Sequence, residues 1–337
     1  MKNPLVSIII PVIELNDYLE ESIPEILKLD YPNFEIIVLP NEKSDTKWEK
    51  TRIIATKTSN PSTKRNIGVK HANGKIIAFL DDDAYPKKDW LKIAIRKLRD
   101  KRIVAVGGPA VTPKSDSILQ KASGAMSESF IGGGKARNRF ISVGKGEYVD
   151  DWPSVNLLVK KEAFIATGGF DKRFWPGEDT KLCRDLLNYG KIYYQPKAIV
   201  YHHRRASLVK HLRQNGNYGL HRGHFARHYP ENSLKLFYLC PSLFVIYLLI
   251  LAIFEMLIPI LHWNLGLWNY VLLFPLALYL LLIIVDVLVI SIRHLNPLVG
   301  IATIPYIIGT HIYYGIRFIK GYFSVDISAS THNKKSQ

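Results

Sequence analysis

Two long apolar segments follow one another in the last third of the chain, and they constrain its fold more than any other feature. Residues 238–261 carry Glu255 as their only charge, and residues 268–292 carry only Asp286. Each segment exceeds the roughly 20 residues that a helix needs to cross the hydrocarbon core of a bilayer. Because only residues 262–267 separate them, the sequence predicts a transmembrane helical hairpin. The alternative is a buried helix pair in a large soluble core.

A third apolar segment, residues 298–316, is interrupted by Pro305 and several glycines, and it fits a third span, a re-entrant segment or an interfacial helix. Basic residues crowd before the first span, which places the preceding domain in the cytoplasm. They are Lys197, Arg204, Arg205, Lys210, Arg213, Arg222, Arg227 and Lys235. A third full span would carry Arg317 and Lys320 outside, against that rule. The sequence therefore favours two spans and a membrane-associated third segment.

The residues before the apolar segments alternate between short β-rich runs and helical runs. Strands are predicted at 6–10, 34–39, 76–80 and 103–106, and helices at 17–29, 63–72 and 89–100, with Ser62 as the N-cap of the second helix. This alternation predicts an α/β domain with a doubly wound, mostly parallel sheet, whose ligands bind at the carboxyl ends of the strands. We expect a cytosolic domain over 1–233, a membrane domain over 234–323 and a polar tail over 324–337.

Three adjacent carboxylates, Asp81, Asp82 and Asp83, follow one of the predicted strands. A helix N-cap would need only one of them. In an extended segment Asp81 and Asp83 share a face, and hard oxygen ligands of this kind suit Mg²⁺ or Mn²⁺ completed by substrate phosphates. One of the adjacent histidines His202 and His203, at the end of a predicted strand, could reach this metal.

An acidic pair, Glu178 and Asp179, opens a predicted helix. The two side chains could simply cap that helix and complement its dipole. Alternatively, one of them is a general base for an incoming hydroxyl group. The preceding residues 169–171 and Trp175 then read as a loop that shapes an acceptor pocket.

Taken in chain order, four segments resemble the family-2 glycosyltransferases of the inverting, GT-A-fold type. They are Val6–Val12, Thr63–Gly68, Gly74–Asp83 and Gly177–Asp179. The order and spacing of these motifs are more specific than any one of them. The resemblance covers roughly residues 5–230, and the apolar segments that follow resemble those of the membrane-anchored members.

The resemblance implies a role for each matching residue. The nucleotide site would comprise Pro11, Val12, Glu14, Asn41, Lys64, Arg65, Asp81 and Asp82. Asp83 would hold Mg²⁺ or Mn²⁺, and Asp179 would be the catalytic base while Glu178 steadies the acceptor. Independently of the resemblance, we take His202, of the two adjacent histidines, as the one beside this metal. Many relatives have Asp-Asp-Gly-Ser after the second strand, where this chain has Pro40-Asn41-Glu42-Lys43. Because Asn41 can both donate and accept hydrogen bonds, uracil, guanine and thymine nucleotides all remain open.

The expected function is therefore a metal-dependent hexosyl-type transferase that moves a sugar, with inversion, from a nucleotide-diphosphate sugar to a lipid-linked or glycan acceptor. It would be a multi-pass protein of the cell membrane with its catalytic domain in the cytoplasm. A processive polysaccharide synthase is one alternative, although two or three spans are few for a translocation channel. A non-catalytic membrane protein that retains the fold is another. The net charge of +16 alone would suggest nucleic-acid binding, but the basic residues track the membrane boundary and no nucleic-acid motif is present.

Overall fold

The computed structural model describes residues 3–174, 176–261 and 266–324, which form two compact units. The first unit contains residues 3–114 and 138–203, and the second contains residues 115–137 and 204–324. The strands are β1 (Val6–Pro11), β2 (Phe34–Leu39), β3 (Thr51–Ile53), β4 (Ile76–Leu80), β5 (Ala84–Pro86), β6 (Ile103–Gly107), β7 (Ala110–Val111), β8 (Glu147–Val149), β9 (Asn156–Lys160), β10 (Lys191–Tyr194) and β11 (Val200–His202). The helices are α1 (Asp17–Leu27), α2 (Pro61–His71), α3 (Trp90–Leu98), α4 (Ile118–Glu128), α5 (Phe130–Gly133), α6 (Lys161–Ala166), α7 (Glu178–Leu186), α8 (Leu208–His228), α9 (Pro230–Ser233), α10 (Leu236–Ile260), α11 (Leu267–His294) and α12 (Pro297–Phe323).

The first unit is built on an eight-stranded sheet in the order β3-β2-β1-β4-β9-β6-β10-β8. Strands β3, β2, β1 and β4 are parallel, as are β6 and β10. Strand β9 is antiparallel to both of its neighbours, and β8 is antiparallel to β10. The carboxyl ends of β1, β2 and β4 therefore meet at one edge. A small second sheet has the order β5-β11-β7.

Helices cover both faces of the large sheet, because alternate residues of each central strand point to opposite sides. On β1, Ile8 belongs to the core cluster that contains α1 and α3, whereas Ile9 belongs to the one that contains α2, α6 and α7. The predicted doubly wound α/β architecture is confirmed, with a sheet more mixed than expected because β9 enters it antiparallel.

A glycine lets α2 approach the sheet closely. A Cβ atom at Gly68 would lie 2.7 Å from Ile9 Cγ2 and 2.8 Å from Leu39 Cδ1, so no larger residue fits without displacing the core. This contact brings the first turns of α2, with Lys64 and Arg65, to the carboxyl edge of the strands. The N-cap of α2 is Asn60, whose side chain accepts a hydrogen bond from the Thr63 backbone, followed by Pro61 at the first helical position. The predicted N-cap at Ser62 was wrong by two residues, because proline favours the first turn of a helix.

Three helices of the described residues, α10, α11 and α12, are long and apolar enough to cross a membrane by length and composition. Helices α10 and α11 match the predicted segments to within two residues at each end, whereas α12 continues seven residues beyond its predicted end. The predicted third segment is one continuous helix, and it is more buried within its unit than the other two.

The second unit also takes in residues 115–137 and 204–233, which the sequence assigned to the cytosolic domain. The functional boundary at residue 233 stays a prediction. Residues 262–265 of the link, Trp175 of the proposed acceptor loop and residues 325–337 of the polar tail lie outside the described residues.

Candidate active site

A cluster of three possible metal ligands lies at the carboxyl edge of the sheet. Asp81, Asp82 and Asp83 form a turn after β4, with the Ala84 backbone N–H donating to the Asp81 carbonyl at 3.2 Å. Ligand atoms of Asp81, Asp83 and His202 all lie within 4.8 Å of one another, and His202 Nε2 is 3.0 Å from Asp83 Oδ1. Two carboxylates and an imidazole at this spacing form a donor set that fits Mn²⁺, or Mg²⁺ with added water and phosphate ligands.

Strand alternation separates the two adjacent histidines. On β11, His202 pairs with Ala84 of β5, and its ring reaches Asp83. The ring of His203 points away, where its Nε2 lies 2.9 Å from Glu21 Oε2 and its centroid lies 5.0 Å from that of the Tyr18 ring. Of the two, His202 is therefore the histidine that can share a cation with Asp83.

The middle carboxylate of the triplet, Asp82, has a different partner. Asn16 Nδ2 donates to Asp82 Oδ2 at 2.7 Å, while Asn16 Oδ1 caps α1 by accepting from the Leu19 backbone N–H. Burial, and then the charge of Asp83, raises the pKa of Asp82 to about 6, although the hydrogen bond from Asn16 opposes this shift. Asp82 thus ties the triplet to the start of α1 and lies outside the ligand cluster.

A buried guanidinium connects the metal-ligand cluster to the acidic pair. Arg65 donates to Asp81 Oδ1 at 2.8 Å and to Glu178 Oε1 at 3.0 Å, and its side chain is only 6% exposed. Its guanidinium also lies over the Phe170 ring at 5.4 Å. The two groups of carboxylates that the sequence singled out separately therefore belong to one site.

The acidic pair begins α7 directly after Gly177, whose φ of 121° suits glycine. Burial, followed by the charge of Asp179, raises the pKa of Glu178, and burial raises the pKa of Asp179. Arg65 lowers both pKa values, and hydrogen bonds with Ser154 lower that of Asp179 further. Because two like charges this close disfavour double ionisation, the pair holds a proton more readily than isolated carboxylates do. Asp179 Oδ1 is buried and accepts no hydrogen bond from the part of the chain that the structure describes.

The ammonium group of Lys64 is bound to the protein's own backbone. It donates to the carbonyls of Val12 and Leu39 at the ends of β1 and β2, the latter at 2.8 Å, and the side chain is buried. Burial lowers the pKa of Lys64 to about 8, opposed by the charge of Asp82. In this arrangement the ammonium of Lys64 joins two strand ends, whereas the sequence predicted that it contacts the nucleotide.

The remaining predicted nucleotide residues lie along the same edge. Pro11 and Val12 are buried at the end of β1, whereas Glu14 is exposed in the following loop. Asn41 Nδ2 donates to Ser59 Oγ at 3.1 Å, and its backbone N–H donates to the Ile13 carbonyl. Asn41 is therefore fixed against the loop that follows β1.

Three residues that sequence reasoning missed support this site. Asn16 holds Asp82, and Ser154 hydrogen-bonds Asp179. Asn66 donates to the Phe170 carbonyl at 2.8 Å and accepts from its N–H at 2.9 Å, which fixes the loop before the acidic pair. A polar side chain just before α1 could have indicated the first, but nothing in the sequence links the other two to the residues that they contact.

Residues 7–143 match the family model described as glycosyl transferase family 2. A pre-mycofactocin glycosyltransferase of Mycobacterium tuberculosis is 26% identical over 184 residues, which cover 52% of this chain and 37% of that protein. A dolichyl N-acetyl-α-D-glucosaminyl phosphate 3-β-D-2,3-diacetamido-2,3-dideoxy-β-D-glucuronosyltransferase of Methanococcus voltae is 26% identical over 258 residues, covering 69% of this chain and 77% of that protein. The match thus spans little more than a third of the mycobacterial relative.

Among solved structures, a mannosyltransferase from Pyrobaculum calidifontis in complex with GDP-Man and Mn²⁺ is similar to this chain. The two share 18% sequence identity with a TM-score of 0.48, over 65% of this chain and 63% of that one.

Proposed function

We propose that this chain, in which residues 7–143 match glycosyl transferase family 2, transfers a sugar from a nucleotide-diphosphate sugar to an acceptor hydroxyl group. One observation carries this proposal. Arg65 bonds Asp81 and Glu178 simultaneously, so a possible metal site and an acidic pair adjoin within the same unit. Such a transfer needs both groups, one at the departing diphosphate and one at the attacking hydroxyl.

The proposed catalytic base is Asp179. It would accept the acceptor's proton at its unpartnered Oδ1 as the hydroxyl oxygen attacks the anomeric carbon. With a single displacement of this kind, attack from the side opposite the nucleotide inverts the anomeric configuration. Glu178, held by Arg65, would position the acceptor, and the Asn66-fixed loop would border the acceptor pocket.

Asp83 and His202, with Asp81 adjacent, would hold a divalent cation, Mg²⁺ or Mn²⁺. When bound, this cation would offset the negative charge of the departing nucleoside diphosphate. The protein's own contribution at this end is orientation, since Asn16 fixes Asp82 and Arg65 fixes Asp81. Pro11, Val12 and Asn41 would line the nucleotide side of the pocket.

The proposed acceptor is lipid-linked. Two kinds of support favour it over a soluble glycan: the chain carries helices long and apolar enough to cross a membrane, and the Methanococcus relative is named for a dolichyl-phosphate-linked acceptor. Basic residues before α10 favour a cell-membrane protein with its catalytic unit on the cytoplasmic side. They would also attract anionic lipid headgroups.

The test is nucleoside-diphosphate release by the purified full chain from a panel of nucleotide sugars, with lipid extract as acceptor and with Mn²⁺, Mg²⁺ or a chelator. We expect release with one donor class, dependent on metal, and lost in Asp83→Asn. Asp100→Asn is the matched control, because Asp100 pairs with Arg102 at the protein surface. No metal-dependent release from any donor would overturn the proposal and favour a non-catalytic protein. The anomeric configuration of the product, read by NMR, tests inversion.

A further inference from the structure

The third apolar helix, α12, touches the end of α11 near its own beginning. Gly300 lies directly on the last turns of α11, where an added Cβ atom would lie 2.6 Å from the Val287 carbonyl oxygen and would also collide with Ser291 Oγ. Val299 packs with Ile290 in the same region. The first turns of α12 are therefore fixed beside the C-terminal part of α11.

The other end of α12 touches the beginning of α10. Gly315 lies against the Pro241 carbonyl, and Ser242 Oγ donates to the Gly315 carbonyl at 3.2 Å. One turn further along, Phe318 packs with Tyr238 in a buried cluster. The last turns of α12 thus lie beside the N-terminal part of α10.

Helices α10 and α11 form an antiparallel pair, which places these two contacts at the same end of the hairpin. Tyr247 donates to the Leu272 carbonyl at 2.8 Å, and the Phe244 and Tyr279 rings lie 4.3 Å apart. The later residue of α10 thus contacts the earlier residue of α11, as in an antiparallel pair. The start of α10 and the end of α11 consequently share one end. A helix that crossed alongside them would have risen about 27 Å between positions 300 and 318, at 1.5 Å per residue, and would end near the opposite side.

A polar helix accompanies α12 over its second half. A Cβ at Gly219 would lie 2.7 Å from the Tyr314 carbonyl, and His211 Nε2 and Arg317 Nη2 make side-chain bonds of 2.9 and 3.1 Å to Thr310 and Asn217. The same helix, α8, exposes Lys210, Arg213 and Arg227. Charges of this density are costly within hydrocarbon, so the partner helix indicates that this part of α12 lies at the boundary with water.

The face of α12 that the second unit leaves exposed is apolar except for Lys320 near its end. Its residues recur at helical spacing: Leu298, Ile301, Pro305, Ile312, Ile316 and Phe323. A helix with a largely apolar face and a polar neighbour on another side matches the pattern of helices that lie in the interfacial plane, where a lysine near the helix end can extend its ammonium group to the water.

We infer that α12 lies in the plane of the membrane at the boundary where the chain enters α10, with its apolar stripe against the lipid and α8 toward the water. Lipid of the bilayer, which α10 and α11 also enter, covers the exposed stripe. Both termini of the second unit then lie on one side of the membrane, and Arg317 and Lys320 need not cross it. This inference rests on the membrane anchor of the proposed function but not on its chemistry.

Labelling with a membrane-impermeant maleimide tests this arrangement on the full chain. The exposed Cys240 is replaced by serine, and Cys183 is buried. Single cysteines are then introduced as Ala206→Cys before α8, where the side chain is exposed, Leu267→Cys at the start of α11 and Ser324→Cys after α12, and labelled in intact cells and in inside-out vesicles. We expect Ala206→Cys and Ser324→Cys to label at least tenfold faster from one side, and Leu267→Cys from the other.

Labelling of Ser324→Cys from the side of Leu267→Cys would show that α12 crosses, and would overturn the inference. Labelling of all three from one side would show that α10 and α11 do not cross the membrane, and would overturn both the inference and the proposed membrane anchor. It would leave the proposed sugar transfer untouched, because that activity is measured separately. As a check that does not depend on reagent access, a short crosslinker should join Tyr238→Cys to Phe318→Cys. It should not join Tyr238→Cys to Leu298→Cys, and the reverse pattern would also overturn the inference.

Discussion

Replacing Arg65 with methionine removes a cation that bridges the two acidic groups, and the energetic cost of the substitution follows from burial. The Arg65 and Glu178 side chains are 6% and 7% exposed, and the two are 3.0 Å apart, whereas Asp81 is 31% exposed. Breaking a buried ion pair by removing one partner costs about 3–5 kcal/mol, because the remaining charge is left without compensation. The contact with Asp81 adds less, since solvent screens it. For a domain of 150–250 residues, this cost corresponds to a fall in Tm of roughly 6–20 °C.

The cost of the substitution should also depend on pH. In the folded state burial and mutual repulsion raise the pKa of Glu178, and Arg65 opposes that shift. A carboxyl group whose folded pKa is raised contributes stability below its unfolded pKa and loses it as pH rises through the folded value. With Arg65 present the pKa of Glu178 is about 8, and without Arg65 it rises further. The two proteins therefore differ in this protonation only above about pH 8, so Arg65→Met should be more destabilising at pH 9.5 than at pH 7.

Thermal unfolding of the full chain in detergent, followed by intrinsic tryptophan fluorescence, measures this effect. The matched control is Arg173→Met, because Arg173 also pairs with a carboxylate, Asp171, at 2.7 Å but is 73% exposed. Exposed pairs contribute about 1 kcal/mol or less, so the control should shift Tm by only a few degrees. A Tm change in Arg65→Met no larger than in the control, or one equal at pH 7 and pH 9.5, would refute the reasoning.

Three further changes have defined outcomes. Lys64→Met should lower Tm markedly, because it leaves the Val12 and Leu39 carbonyls without their buried donor; an unchanged Tm with weakened donor binding would instead favour a phosphate contact. Glu178→Gln should move the acidic limb of the pH–rate profile to lower pH, because removing one like charge lowers the pKa of Asp179; a limb that stays in place would contradict the coupling. His202→Ala should weaken Mn²⁺ binding by calorimetry while His203→Ala leaves it unchanged, and equal effects would contradict the assignment of the ligand set.

Much of the fold could be predicted because strong local patterns decide it. Strands such as β1, β2 and β4 are short, largely apolar runs, and the long apolar segments predicted the bounds of α10 and α11 to within two residues. The first residue of a helix was harder to predict where several neighbouring residues can cap it. Helix α2 begins with Asn60 as its N-cap and Pro61 as its first residue, although Ser62 was the predicted N-cap. The position of residues 115–137 in the second unit depends on packing with distant helices, which a local pattern does not encode.

The site was predictable as a set of residue types but not as a geometry. Aspartates at a strand end and an acidic pair at a helix start indicate metal binding and proton transfer by their residue types alone. The link between them through Arg65 joins positions more than a hundred residues apart, and no spacing rule indicates it. Lys64 shows how residue type alone can mislead. A lysine beside a proposed phosphate site suggests a phosphate contact, but the side chain of Lys64 is buried.

The measurement that tests the central claim most directly compares Asp179→Asn with the unaltered chain in both turnover and donor binding. The substitution keeps the shape of the side chain but removes its capacity to accept a proton, and loss of a general base typically costs 10²- to 10⁴-fold in rate. We predict a fall of at least about 100-fold in kcat, with the donor Kd by calorimetry unchanged within a few fold. Turnover that survives in Asp179→Asn would contradict the account, since the acidic pair would then not supply the base.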